Sequence, residues 1–266
     1  MLHRFVSIII VIFCLTLEAK SQSIDSICSK TLLFVDHTEE FFASPFKNKN
    51  GELSNIAITV ALTGIASLAD KELKSFSQDG RHRTAFLGDI SKIDRYYGSS
   101  KITALFLGGM LFTGFVTNND DIFNAGFMLT ESVILSNLIT QPLKLLIGRE
   151  RPDFTGNNYH FIGPVLSKDQ FNALPSGHAT TSFALSTVAA GLTDNTYLKV
   201  LCYTPAFLTS LSRIYNNRHW ASDVLFGGLI GYYTGRKVLQ MNGMIDKESN
   251  LDVTVGINSV RISFNF

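Results

Sequence analysis

The chain is poor in charge and in cysteine. Only 17% of its 266 residues are Asp, Glu, Lys or Arg, against roughly 25% in an average soluble domain. With 23 basic and 22 acidic side chains the formal net charge is +1, which gives no support to wholesale nucleic-acid binding. The cysteines, Cys14, Cys28 and Cys202, form no C-x-x-C pair and no Cys/His spacing suited to zinc. There is no internal repeat and no low-complexity tract. What the chain has instead is apolar bulk: 45% hydrophobic residues and 21 Phe. That balance describes a helical protein, either tightly cored or in contact with a membrane, built as one large domain with short tails.

The start of the chain resembles an export signal. His3 and Arg4 precede the apolar run Phe5 to Leu17, and Ala19 and Ser21 supply small residues at a cleavage site before Gln22. The run is short for a membrane span of roughly twenty residues, so residues 1–21 are read as a signal peptide, an uncleaved first helix being the alternative. Cleavage would remove Cys14 and leave Cys28 and Cys202 as free or buried thiols. Residues 22–53 form a polar segment in which Pro45 and Asn48 to Gly51 mark a turn.

Apolar segments then follow at Asn55–Ala69, Ile102–Val116, Ile122–Ile147, Ala179–Leu192, Tyr197–Ser212 and His219–Leu239. The charged stretch Asp70 to Arg95 reads as a solvated helix and loop. Gly148 and Pro152 end the long third segment, because the residue before proline is driven out of helical geometry. Alternation at Val253, Val255 and Ile257, then at Val260, Ile262, Phe264 and Phe266, around Asn258-Ser259 predicts a β-hairpin. The division is 1–21, 22–53, a helical domain at 54–240, and a tail at 241–266.

Three polar clusters interrupt the apolar segments. Lys144 and Arg151 are seven residues apart, two helical turns, near a helix C-terminus that favours cations with or without a ligand. Pro175-Ser176-Gly177-His178 opens a helix, where unsatisfied N–H groups bind oxyanions, Gly177 permits close approach and His178 can move a proton. An ordinary N-cap serine explains that cluster equally well. In the third, Ser212-Arg213 precedes His219 and Asp223, spaced i to i+4 so that a carboxylate could fix the imidazole tautomer and leave the other nitrogen nucleophilic. A helix-surface hydrogen bond is the plainer alternative.

In order and spacing the clusters read K-x6-RP, PSGH and SR-x5-H-x3-D. This pattern strongly resembles the type 2 phosphatidic acid phosphatase/vanadium haloperoxidase superfamily, over about residues 120 to 240. The resemblance implies an all-α bundle of about six core helices, here with a short C-terminal β-hairpin. It implies His219 as nucleophile, Asp223 as its orienting carboxylate and His178 as general acid. Lys144, Arg151, Ser176, Gly177 and Arg213 become a phosphate cradle, with no metal or other cofactor required.

The implied activity is hydrolysis of a phosphomonoester or diphosphate on a lipid: phosphatidate, phosphatidylglycerophosphate, undecaprenyl diphosphate or lipid A. A soluble periplasmic acid phosphatase, a haloperoxidase and a non-catalytic envelope protein are the alternatives, in that order. The implied partners are the phosphoester and a membrane, not nucleic acid. The implied location is the bacterial cell envelope, exported and either membrane-associated or periplasmic. Counting every apolar segment before Lys144 as a full crossing would put the clusters in the cytoplasm if the mature chain starts outside, so one segment need not span.

Overall fold

The structure is a computed structural model that describes residues 21–47, 52–165 and 169–245, and the backbone of 251–256 and 259–264. The expected signal segment falls outside the described residues, apart from Ser21. The chain divides into two compact units, residues 1–43 and 44–266. Helix α1, Ser21–Lys47, occupies the described part of the first and continues four residues past its boundary. Pro45, expected to mark a turn, instead sits in the last turn of α1, while 48–51 lie outside the described residues.

In the second unit, α2 (Glu52–Ser67) and α3 (Asp70–Gln78) are bent by 56° at the break between them. Helix α4 (Ala85–Ile90) is capped by Thr84, whose hydroxyl accepts from the Leu87 N–H, and leads into the 3-10 turn Ser91–Arg95. The core helices follow: α5 (Ser100–Thr117), α6 (Asp120–Ile147), α7 (Gly177–Gly191), α8 (Thr196–Tyr215) and α9 (Ala221–Met241). Their starts follow from local chemistry. Asn119 caps α6 by accepting from the Ile122 N–H, and Asn195 caps α8 by accepting from Tyr197 and Leu198. Gly148 closes α6 in the left-handed region at φ 58°, a conformation cheap for glycine. Strands β1 (Leu251–Gly256) and β2 (Ser259–Phe264) pair antiparallel, Val253 opposite Ile262.

Helix α7 is the centre, packed by α6, α8 and most extensively by α9. Its buried residues are small, among them Ala179, Thr180, Ser182, Ala184 and Ser186. Facing them, α9 presents Gly227, Gly228, Gly231 and Gly235, which lets the two backbones nearly touch. Hydroxyl contacts tie α6 to α7: Thr140 donates to Thr180 at 3.3 Å, and the Asn137 amide donates to Thr181 at 3.2 Å.

Among the described residues, α5 and α6 are long and apolar enough to cross a membrane, and the bent α2–α3 pair would make a third span. Helix α5 exposes Leu105 and Phe106 at 74% and 56%, the pattern expected where the neighbour is lipid rather than protein.

Candidate active site

The three sequence clusters meet at one end of the α6–α9 core, against the backbone of residues 170–173. The Gln170 carbonyl accepts from the Arg151 N–H at 2.8 Å. The Asn172 carbonyl accepts from Lys144 Nζ at 2.7 Å, and the Ala173 carbonyl lies 2.8 Å from His219 Nδ1. Ser176 is tied to the other wall, its N–H donating to the Asp223 carbonyl at 2.9 Å. One short segment, the 3-10 turn Asp169–Phe171 and the two residues after it, thus sets a lysine, an arginine and a histidine beside the start of α7.

The two arginines of the clusters are each paired with a carboxylate. Arg213, on the last turn of α8, donates through Nη1 to the buried Asp94 at 2.6 Å. Arg151 donates through Nη2 to Asp169 at 2.7 Å. Gly177 faces Lys144, whose Cε would lie 3.6 Å from a Cβ added there. Yet Arg151 Nε, Arg213 Nε and Ser176 Oγ are buried without a hydrogen-bond partner among the described residues. Buried polar atoms are normally satisfied, so one orphan from each cluster points to a polar ligand received there. The Ser176 hydroxyl does not cap α7, contrary to the plain N-cap alternative.

Both imidazoles feel all three cations. Burial, then the positive charge of Arg213, opposed by Asp94, and that of Lys144 and Arg151 push His178 down to about 4. Burial, then Lys144, Arg213 and Arg151, hold His219 well below the ordinary histidine value. His219 is therefore neutral, and with Nδ1–H donated to Ala173 its Nε2 carries the free lone pair.

Two expectations are corrected here. His219 and Asp223 do not share a helix: α9 starts at Ala221, after the N-cap Trp220. Asp223, the third residue of α9, turns its carboxylate back to accept the Trp220 N–H at 2.8 Å, leaving it 3.8 Å from His219 Nδ1. The Ala173 carbonyl makes the tautomer-setting contact instead. Likewise Lys144 and Arg151 are not two turns apart on one helix, because Gly148 ends α6 and Arg151 sits on the segment beyond it.

Other residues escaped the sequence reading. Asp70 and Asp94, assigned to a solvated stretch, are 1% and 6% exposed. Arg149, 2% exposed, places its guanidinium between Asp70 and Asp223, 2.7 and 2.6 Å away. His160 lies 3.0 Å from the fully buried Glu150. Only the apolar Ala69-to-Asp70 step and the GRERP run hint at these roles, and a charged residue at a helix end is ordinarily solvated.

A helical bundle whose helix ends gather fixed cations, orphaned donors and two neutral imidazoles has the chemistry suited to receiving an oxyanion. Residues 125–246 match the family model of the PAP2 superfamily. The chain is 39% identical over 94 residues to a lipid A 1-phosphatase of Porphyromonas gingivalis, covering 35% of this chain and 18% of that protein. It is 29% identical over 169 residues to a PA-phosphatase related-family protein of Dictyostelium discoideum, covering 56% and 62%. A lipid A 1-phosphatase of Rhizobium johnstonii is 32% identical over 107 residues, covering 40% and 43%. The chain thus spans less than two thirds of the length of these relatives.

The all-α fold matches two crystal structures. One is Aquifex aeolicus LpxE, at 22% identity and TM-score 0.50, covering 64% of this chain and 93% of that one. The other is a transmembrane PAP2 type phosphatidylglycerolphosphate phosphatase of Bacillus subtilis, at 19% identity and TM-score 0.51, covering 73% and 96%.

Proposed function

We propose that the protein is a membrane-associated phosphatase that hydrolyses a lipid phosphomonoester or diphosphate through a phosphohistidine. The observation that carries this reading is the set of orphaned donors, Arg151 Nε, Arg213 Nε and Ser176 Oγ, around two imidazoles. His219 Nε2 attacks phosphorus, the bond to the leaving oxygen breaks, and His178 gives that oxygen a proton. Lys144, Arg151, Arg213, Ser176 and the Gly177 N–H hold the equatorial oxygens as charge builds on them. Water then attacks the phosphohistidine, His178 accepts its proton, the N–P bond breaks and inorganic phosphate leaves. Fixed cations supply the charge stabilisation, so the steps require no metal.

A bound phosphate offsets the cations that lower His178, raising its proton affinity when an acid is needed. Asp223, 3.8 Å from His219 Nδ1, compensates the positive charge on the phosphorylated ring. The lipid substrate is supported by the exposed apolar face of α5 and by relatives named as lipid A 1-phosphatases. We assign the protein to the bacterial cell envelope, with lipid A first among the candidates and phosphatidate, phosphatidylglycerophosphate and undecaprenyl diphosphate after it.

The test is phosphate release from these lipids and from water-soluble phosphoesters, using detergent-extracted and aqueous fractions of one preparation. Wild type should act on a lipid in the detergent fraction and form an acid-labile adduct under rapid quench. His219→Ala should lose both while keeping its helical circular dichroism. Full turnover by that variant would sink the nucleophile assignment, and activity confined to soluble esters in the aqueous fraction would sink the lipid reading.

A further inference from the structure

The sequence reading gave His160 no role, yet its ring closes on a carboxylate that does not reach solvent. Glu150 is fully buried, and its side chain collects three donors from later in the chain. Oε1 accepts the Gln170 amide at 2.7 Å. Oε2 accepts the Thr155 hydroxyl and lies 3.0 Å from His160 Nδ1. Burial by itself favours the neutral acid, but the bonds from Thr155, Gln170 and His160 outweigh it and hold the carboxyl below the ordinary glutamate value. A buried carboxylate is a poor source of net stability, because desolvation offsets what its partners return. What it does provide is a fixed arrangement of the groups that bind it.

That arrangement reaches the cradle through the backbone. Residues 148–151 run as a middle rail with a flank on either side. On one flank the Glu150 N–H donates to the His160 carbonyl at 2.9 Å, and the Ile162 N–H donates to the Gly148 carbonyl at 3.1 Å. On the other the Arg151 N–H donates to the Gln170 carbonyl at 2.8 Å, and the Ala173 N–H donates to the Arg149 carbonyl at 3.1 Å. The Glu150 side chain binds a residue of each flank, His160 and Gln170. Gln170 is therefore held twice, by its amide on Glu150 and by its carbonyl on Arg151. Asn172 and Ala173 follow it and carry the carbonyls that meet Lys144 and His219. The Glu150 carbonyl itself accepts from Trp220 Nε1 at 2.9 Å, next to His219.

We propose that Glu150 and His160 are positioning residues whose contact clamps both flanks onto residues 148–151 and so sets Arg151, Lys144 and His219 against one phosphate. The inference rests on the phosphate-cradle reading above. His160 also meets the Phe171 ring edge-on, with centroids 5.5 Å apart, so the hydrogen bond must be separated from the ring contact. Asparagine at 160 does this, keeping an N–H at the reach of Nδ1 and giving up the ring. Glutamine at 150 offers one side-chain oxygen to three donors and turns an N–H toward the rest.

His160→Ala, His160→Asn and Glu150→Gln are compared with wild type in detergent, measuring kcat, KM, vanadate affinity and helical circular dichroism. Displacing a reacting group by about 1 Å costs about a hundredfold, and losing one of three donors should cost less, about tenfold in kcat and in vanadate affinity for His160→Ala. KM for a lipid should hardly move, because the apolar surface that meets the lipid is untouched. His160→Asn should recover most of both losses, and Glu150→Gln should fall at least as far as His160→Ala. Wild-type kcat and vanadate affinity in His160→Ala overturn the proposal. A loss that asparagine does not restore also overturns it, by assigning the effect to the Phe171 contact. Folded Glu150→Gln at wild-type turnover does the same, and the two His160 variants decide the matter if Glu150→Gln does not fold. Wild type that neither binds vanadate nor releases phosphate would refute the cradle reading instead.

Discussion

Gly231→Ala is a one-carbon test of whether the α7–α9 contact positions the site. A Cβ at Gly231 would collide with the Thr180 carbonyl and lie 2.8 Å from the Ala184 nitrogen and 3.1 Å from Phe183 Cβ. Two of these atoms belong to the backbone of α7, so no flexible side chain can swing away and the helices must separate. Overpacking of this kind costs about 1–3 kcal/mol, and a clash with backbone belongs at the upper end. Alanine recovers about 1 kcal/mol of helix propensity over glycine, which leaves a net loss of about 2 kcal/mol. Separation also moves His178 on α7 away from His219 before α9, and about 1 Å of misplacement is worth about a hundredfold in rate. Gly64→Ala is the control, because a Cβ there meets nothing within 4 Å. Thermal unfolding and phosphate release in the same detergent check both quantities. Wild-type stability and turnover for Gly231→Ala would refute the argument that this backbone contact sets the site.

Ser176→Ala should separate activity from stability. Its hydroxyl is buried without a partner among the described residues, so removing it should raise stability by about 1 kcal/mol. Removing an oxyanion donor should lower kcat by about a hundredfold. Unfolding and phosphate-release measurements on one sample decide it, and unchanged kcat would remove Ser176 from the cradle. The pH profile follows from the two lowered imidazoles. A lowered His219 stays neutral and nucleophilic below pH 6.5, so no acid limb should arise from it near that value. His178, at about 4 in the free protein, should put the basic limb of kcat/KM at lower pH than that of kcat, where phosphate opposes the cations. Stability has the opposite demand. Between pH 6.5 and about 4 the unfolded chain binds a proton at His178 that the folded chain does not, so stability should fall as pH drops through that window. Coincident basic limbs in the two profiles would contradict the acid role of His178.

The six apolar segments were legible in the sequence to within a few residues. Apolar composition and end signals such as Asn119, Gly148 and Asn195 act within one or two helical turns. The clusters were legible for the same reason, as short strings at helix ends. Relations between strings were not. The i to i+4 spacing of His219 and Asp223 suggested a direct bond, but the helix starts only at Ala221, and the N–H of its N-cap Trp220 claims the carboxylate. Asp70 and Asp94 resembled solvated charges because nothing nearby in the chain reveals that Arg149 and Arg213 arrive from 79 and 119 residues away.

By itself, then, the sequence determined which residue types stand at the helix ends: Lys144, Arg151, the Ser176-Gly177-His178 turn, Arg213, His219 and Asp223. Only the tertiary structure decided what each one touches. It set Ala173 rather than Asp223 on His219, drew Asp70 to the start of α9, and left one buried donor open in each of three clusters. The physical reason is that helix formation is local, whereas a buried charge or hydrogen bond is settled by whatever the packing of distant helices brings within about 3 Å.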